Sequence, residues 1–223
     1  MQRSYLKAPR KVFLRHPSSI PLYSVFQTIR PYTEVNYDSQ LQMKDAIEHV
    51  DRKGIKGSIV ETGCWNGGCG AFMAWVSKRN GSDRKTWLFD AFETVDAIPG
   101  KDDSVPTAWD DFPCTAENAR EIVSKLGVSD TTTVVKGFFS DTLPVTDTGP
   151  IAVLRRDGNW YQSTMDALEN LYDRVVQGGY VVIDDYDKFD GCRMAIYDFF
   201  SKRKIAPRLR QDSFEQKYYL IKP

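Results

Sequence analysis

From Gly57 onward, short apolar runs of strand length alternate with longer stretches of helical periodicity, and this alternation constrains the fold more than any other feature of the chain. Ser58–Thr62 reads as a strand, Gly68–Arg79 as a helix and Thr86–Phe92 as a second strand. Thr115–Leu126 reads as a helix, Thr132–Phe138 as the third strand and Ile151–Arg155 as the fourth. Ser163 is expected to cap a helix that runs to about Val176, with Leu168, Leu171, Tyr172 and Val175 as its core stripe. Gly178 and Gly179 read as its stop, and Tyr180–Asp185 as the fifth strand. Gly191–Lys202 follows as a helix with Ala195, Ile196, Phe199 and Phe200 on its apolar face, and Arg208–Gln211 with Lys217–Ile221 reads as a closing hairpin. Strands separated by single helices imply a parallel sheet with right-handed crossovers. The expectation is a doubly wound α/β fold, mostly parallel, with a C-terminal antiparallel hairpin. Such sheets bind ligands beyond the carboxyl ends of their strands, at the switch in strand order.

Residues 1–37 carry Pro9, Pro17, Pro21 and Pro31 and read as an irregular N-terminal arm; residues 38–223 read as the single domain. Asp38 is expected to cap a helix reaching about Gly54, with Met43, Ile47 and Val50 on one face. Residues 94–114, rich in Asp, Pro and Gly, form too long a connection to be plain, which suggests a lid. The 30 basic and 30 acidic side chains leave no basic excess for a nucleic-acid partner. No apolar run approaches the ~20 residues of a membrane helix. The first twenty residues hold Lys7, Arg10, Lys11 and Arg15 without a hydrophobic signal core, so the expected location is cytoplasmic. Cys64, Cys69, Cys114 and Cys192 lack Cys-x-x-Cys spacing and read as ordinary thiols.

The first strand ends Val60-Glu61-Thr62-Gly63-Cys64-Trp65-Asn66-Gly67-Gly68. Its glycines allow a tight turn and close approach to a ligand. The loop matches neither the dinucleotide fingerprint nor the phosphate loop. Glu61 would repel a pyrophosphate but suits the ammonium group, or the sulfonium neighbourhood, of S-adenosylmethionine. Asp90, in Leu88-Phe89-Asp90-Ala91-Phe92, stands where an acid accepts both hydroxyls of an adenosine ribose. The alternative makes Glu61 and Asp90 turn-capping carboxylates. Gly137-Phe138-Phe139-Ser140 would frame the adenine. The candidate cofactor residues are Glu61, Thr62, Gly63, Gly67, Asp90, Phe138 and Ser140.

The fourth strand runs into Asp157 and the fifth into Asp184 and Asp185. Neighbouring strand ends would bring the three together, and unpaired carboxylates so placed repel one another unless a cation intervenes. An all-oxygen set without His or Cys favours Mg²⁺, Mn²⁺ or Ca²⁺ over zinc. The alternative has these aspartates capping helices or pairing with Arg155, Arg156 or Arg193; Asp187 and Asp190 read as solvated loop charges.

Val60-Glu61-Thr62-Gly63, Phe138-Phe139-Ser140-Asp141-Thr142-Leu143-Pro144, Leu154-Arg155-Arg156-Asp157-Gly158, Tyr161-Gln162-Ser163-Thr164-Met165-Asp166-Ala167-Leu168 and Gly178-Gly179-Tyr180-Val181-Val182-Ile183-Asp184-Asp185-Tyr186 together resemble the macrocin O-methyltransferase family over roughly residues 57–202. Members methylate sugar hydroxyls in macrolide and aminocoumarin biosynthesis. The resemblance implies a Rossmann-like class I methyltransferase fold, S-adenosylmethionine as donor, and Mg²⁺ (or Mn²⁺) held at Asp157, Asp184 and Asp185. It also implies a small-molecule acceptor whose vicinal hydroxyls meet that metal. The chain departs from the family's Leu-Arg-x-Asp-Gly-Asp pattern, in which the second aspartate is taken as the general base: here that position is Asn159, and an amide takes no proton near neutral pH. Asn159 and Asp157 are the candidate catalytic positions. Either metal coordination alone acidifies the hydroxyl, or another carboxylate such as Asp187 serves, or activity is weakened. The family's Asp-Ser-Phe-Glu is also changed, to Asp90-Ala91-Phe92-Glu93, which removes one hydrogen bond near the cofactor. A catechol-type O-methyltransferase and a non-catalytic binding protein on the same fold are the rival readings; homo-oligomerisation stays open.

Overall fold

The computed structural model describes residues 20–93, 101–102, 113–212 and 217–223. Six strands form one sheet in the order β3-β2-β1-β4-β5-β6: β1 Ser58–Thr62, β2 Thr86–Asp90, β3 Thr132–Lys136, β4 Ile151–Arg156, β5 Val175–Ile183 and β6 Tyr218–Ile221. All neighbours are parallel except β5 and β6. The strand order reverses between β1 and β4, so the crevice of a doubly wound sheet opens at their carboxyl ends.

The helices are α1 Ile20–Ile29, α2 Tyr37–Arg52, α3 Gly68–Arg79, α4 Ala116–Lys125, the single turn α5 Phe139–Thr142, α6 Tyr161–Leu171 and α7 Asp190–Lys202. Period-two alternation sorts the core into two layers. Ile59, Leu88, Val153 and Val182 pack with the buried faces of α1 to α4. Val60, Phe89, Leu154, Val181 and Ile183 pack with those of α6 and α7. β1 and β4 are buried along their whole length, as central strands covered on both faces must be.

The structure departs from the sequence reading at several boundaries. The stretch expected to be irregular holds α1 and a 3₁₀ turn at Arg30–Tyr32, and Val25, Phe26 and Ile29 of that stretch are buried. α2 is capped by Asn36, whose side chain accepts the Ser39 N–H at 2.7 Å, rather than by Asp38. β2 stops at Asp90 because the Asp90 carboxylate caps the turn that follows, and Phe92 then adopts a φ of 54°. α6 starts at Tyr161, not Ser163, and ends at Leu171; its N-terminal N–H is capped from a distance, Tyr161 donating to Asp102 at 2.8 Å. A 3₁₀ turn at Tyr172–Arg174 leads directly into β5. Gly178 and Gly179 therefore lie inside β5 rather than ending a helix. Gly178 has φ +78°, and the pairing jumps there from Ile151↔Val175 to Val153↔Tyr180, a bulge. The expected hairpin keeps its second limb as β6, paired with β5; its first limb reduces to the bridge Arg210↔Tyr219. Most of the expected lid, 94–100 and 103–112, lies outside the described residues.

Candidate active site

Register places Arg155 of β4 between Glu61 of β1 and Val182 of β5. Glu61, Arg155 and Asp184 each lie two residues beyond a core residue of the α1–α4 layer, so alternation returns them to that face at the top of the sheet. There Arg155, only 1% exposed, holds three carboxylates. Its Nη1 donates to Glu61 Oε1 at 2.6 Å, and its Nη2 donates to Asp157 Oδ2 at 2.7 Å and to Asp184 Oδ1 at 2.6 Å. Lys217, immediately before β6, reaches the other oxygen of Asp184, with Nζ 3.1 Å from Oδ2. Arg156 faces the opposite layer. Its Nη1 and Nη2 donate to the Gly158 carbonyl at 2.7 and 2.6 Å, and Nη2 also donates to Thr164 Oγ1 at 2.7 Å and contacts Cys192 Sγ at 3.0 Å.

Asp157, Asp184 and Asp185 converge as the sequence predicts, offering ligand oxygens within 4.8 Å of one another. Their environments split them. Burial opposes charge on Asp184, yet Arg155 and then Lys217 hold it well below the usual carboxylate range. Burial, then Asp157 and Asp184, push Asp185 well above that range. The Asp185 Oδ2 atom is buried with no hydrogen-bond partner among the described residues; Arg156 Nη1 stands 3.9 Å away. A buried, unpartnered carboxylate oxygen in an all-oxygen cluster fits a hard divalent cation, which would complete it.

Asp90 caps its turn, as the capping alternative anticipates, whereas Glu61 caps no turn and pairs instead with Arg155. Glu61 is fully buried under Arg155, and burial raises it to about 7 against the pull of that arginine. Asp90 Oδ2 accepts the Trp65 N–H and Oδ1 the Phe92 N–H, both at 2.8 Å; burial outweighs these bonds and raises its pKa. Each oxygen keeps a second lone pair for a ligand. Thr62 is buried in β1, and its carbonyl accepts the Asp157 N–H at 2.8 Å. Phe138 and Ser140 stand exposed at the start of α5, beyond β3. Asn159 is half-buried beside Gly158, and its amide has no partner among the described residues.

The loop glycines fit close protein neighbours. A Cβ on Gly67 would stand 2.9 Å from Ala119 of α4, and one on Gly68 would stand 2.6 Å from the Tyr32 carbonyl. Gly63 has φ +80°, and a Cβ there would stand 1.4 Å from the Asp157 carbonyl oxygen. The glycine loop after β1 thus rests directly on the loop that carries Asp157. Gly63→Ala is expected to cost about 2 kcal/mol or more, from left-handed strain plus overpacking. A urea melt checks this, and a parent-like midpoint would refute the contact.

Sequence reasoning missed Lys217 and Asp102 and gave Arg155 only a pairing role. The Leu-Arg-Arg-Asp-Gly motif carried the signal for Arg155. No local pattern marks Lys217, which arrives through the β5–β6 pairing. Lys101 and Asp102 are the described part of the expected lid. Asp102 is buried under α6, and Lys101 Nζ lies 3.4 Å over the Tyr161 ring. The far end of that stretch docks on the glycine loop after β1, where Asn66 accepts the Thr115 N–H at 3.1 Å and donates to the Pro113 carbonyl at 3.3 Å.

A sheet in this order, with a glycine loop after β1, an acid ending β2 and an antiparallel last strand, defines the class I methyltransferase fold. Solved structures agree. The O-methyltransferase NovP superposes with a TM-score of 0.73 at 28% identity, covering 86% of this chain and 82% of its own. The calicheamicin methyltransferase CalS11 shares the fold at a TM-score of 0.73 and 20% identity, covering 95% and 88%. The chain belongs to the macrocin O-methyltransferase family: residues 31–219 match the family model "Macrocin-O-methyltransferase (TylF)". A relative from Streptomyces olivaceus, 8-demethyl-8-(2,3-dimethoxy-alpha-L-rhamnosyl)-tetracenomycin-C 4'-O-methyltransferase, is 37% identical over 72% of this chain and 64% of its own length. Mycinamicin III 3''-O-methyltransferase of Micromonospora griseorubida is 29% identical, covering 75% and 69%. Demethyldecarbamoylnovobiocin O-methyltransferase of Streptomyces niveus is 31% identical, covering 75% and 67%. The chain thus spans about two thirds of the length of these relatives. Among the described residues, no helix is long and apolar enough to cross a membrane.

Proposed function

We propose that this chain is a cytoplasmic, S-adenosylmethionine- and divalent-metal-dependent O-methyltransferase acting on a hydroxyl of a sugar or glycosylated natural product. The observation that carries the reading is the convergence of Asp157, Asp184 and Asp185 beside the glycine loop after β1, with Asp185 Oδ2 buried and without a hydrogen bond among the described residues. The names of two relatives point the same way: one is a 4'-O-methyltransferase of a rhamnosyl compound and the other a 3''-O-methyltransferase.

When bound, the donor supplies the methyl group and the cation supplies Lewis acidity for a sugar hydroxyl. Asp157, Asp184 and Asp185 would hold the cation. Asp90, with the loop from Thr62 to Gly67, would hold the ribose and the amino acid moiety, and Phe138 and Ser140 would border the adenine. Arg155 keeps the acidic and glycine loops in one fixed relation, and orienting two reactants can supply about 7–11 kcal/mol of a barrier. Lys101 and Asp102 pack on the start of α6, beside the loop that carries Asn159, which suits closure over the acceptor.

Methyl transfer from labelled donor to glycosylated acceptors should vanish in EDTA and return with Mg²⁺ or Mn²⁺. Asp184→Ala should lose far more activity than Asp190→Ala, because Asp190 is an exposed partner of Arg193. Full activity in chelator would sink the metal assignment. Asn159 favours a second reading, a binding protein on this fold. Tight donor binding in calorimetry, with no transfer to any acceptor at saturating metal, would establish it.

A further inference from the structure

We infer that Lys217 is a built-in counter-ion that competes with a divalent cation for Asp184 and so sets the metal affinity of the site. The inference rests on the reading of the aspartate trio as a metal site. Three clustered carboxylates need positive charge nearby, and the protein supplies part of it. Both oxygens of Asp184 already face a positive partner, Oδ1 Arg155 at 2.6 Å and Oδ2 Lys217 at 3.1 Å. Each oxygen keeps a second lone pair, but a cation that takes one meets one of these positive charges at close range.

The two cations are not equally displaceable. Arg155 is anchored by Glu61 and Asp157 as well as Asp184 and is 1% exposed, so withdrawing it would strand several buried carboxylates at once. Lys217 has a compact ammonium on a flexible stem. Its backbone is fixed by a reciprocal pair with Gln42 of α2: Lys217 N–H donates to Oε1 at 3.0 Å, and Gln42 Nε2 donates to the Lys217 carbonyl at 2.8 Å. Lys217 is itself only 8% exposed, but its base is held by that backbone pair, so release of Asp184 asks only the side chain to move. An approaching dication repels that ammonium and attracts Asp184, so binding and release are linked.

The test uses the full chain stripped of metal, with Mn²⁺ alone as the probe in titration calorimetry. Lys217→Gln keeps a hydrogen-bond donor for Asp184 and removes the charge. It should bind Mn²⁺ about tenfold tighter than the parent, since one opposing unit charge is gone. Lys217→Arg keeps the charge and should stay close to the parent. In EDTA, Lys217→Gln should melt below the parent, and that gap should close at saturating Mn²⁺. Should the glutamine variant not fold, the parent still decides: acetic anhydride labelling of Lys217, read by mass spectrometry, should rise when Mn²⁺ is added. Equal or weaker Mn²⁺ binding by Lys217→Gln, or labelling indifferent to Mn²⁺, overturns the role of Lys217 while leaving the metal site standing. Absence of Mn²⁺ binding by the parent overturns both together.

Discussion

Arg155→Leu is expected to destabilise the fold by about 3–5 kcal/mol or more, the range seen when a buried ion pair loses one partner. A single guanidinium here serves Glu61, Asp157 and Asp184, which come from the ends of three adjacent strands. Leucine fills part of the volume but leaves a fully buried Glu61 with a carboxylate that must desolvate alone or take a proton. Against a typical total of about 5–15 kcal/mol, that loss leaves a marginal protein. Arg155→Lys should recover only a fraction, because one ammonium cannot span three carboxylates as a planar fork does. The exposed pair Lys78–Asp130, at 3.0 Å, provides the contrast: Lys78→Ala should cost less than about 1 kcal/mol. Urea melts of the three variants check the ranking. An Arg155→Leu protein as stable as the parent would show that the cluster holds nothing together.

The reach and the limits of the sequence follow from the range of the forces involved. β1 and α3 were legible to the residue, because β-branched Ile59 and Val60 lie between Gly57 and Gly63, and α3 opens at Gly68 and closes on Lys78 and Arg79. The aspartate trio was legible because β4 and β5 had to be neighbours in a parallel sheet, and Asp157 and the pair Asp184-Asp185 follow the ends of those strands. α1 was not. Its Pro21 reads as a breaker, yet proline is tolerated in a first helical turn, where the N–H is unpaired anyway. The end of α6 was misplaced because Gly178 and Gly179 look like a helix stop. Only the pairing with β4 and β6 reveals a bulge, in which the Gly178 N–H donates to the Lys222 carbonyl at 2.8 Å. Glu61 illustrates the same divide. Its type and position suggested a ligand-facing acid, while the register that sets Arg155 beside it gave it a protein partner.

Asn159→Asp is expected to raise kcat, by up to the ~10²–10⁴-fold that a positioned base supplies. The backbone that carries residue 159 is well fixed. The Gly158 carbonyl accepts from both terminal nitrogens of Arg156, and a Cβ on Gly158 would stand 3.1 Å from Ser163 Oγ. The Asn159 amide itself is half-buried without a partner among the described residues, so a carboxylate can replace it without breaking a bond. The exchange is nearly isosteric, and overpacking does not enter. What changes is charge and basicity: an amide cannot take the proton of a sugar hydroxyl, whereas a carboxylate can. The same carboxylate adds negative charge near Asp157, Asp184 and Asp185 and should tighten cation binding as well. Measuring at saturating Mg²⁺ removes that second effect from kcat, and a pH series separates the remainder, because a new base adds an acid limb to the profile that the parent lacks. A kcat for Asn159→Asp equal to or below the parent's, at saturating metal and with a confirmed acceptor, would mean that cation-assisted acidification already suffices and that the amide is no handicap.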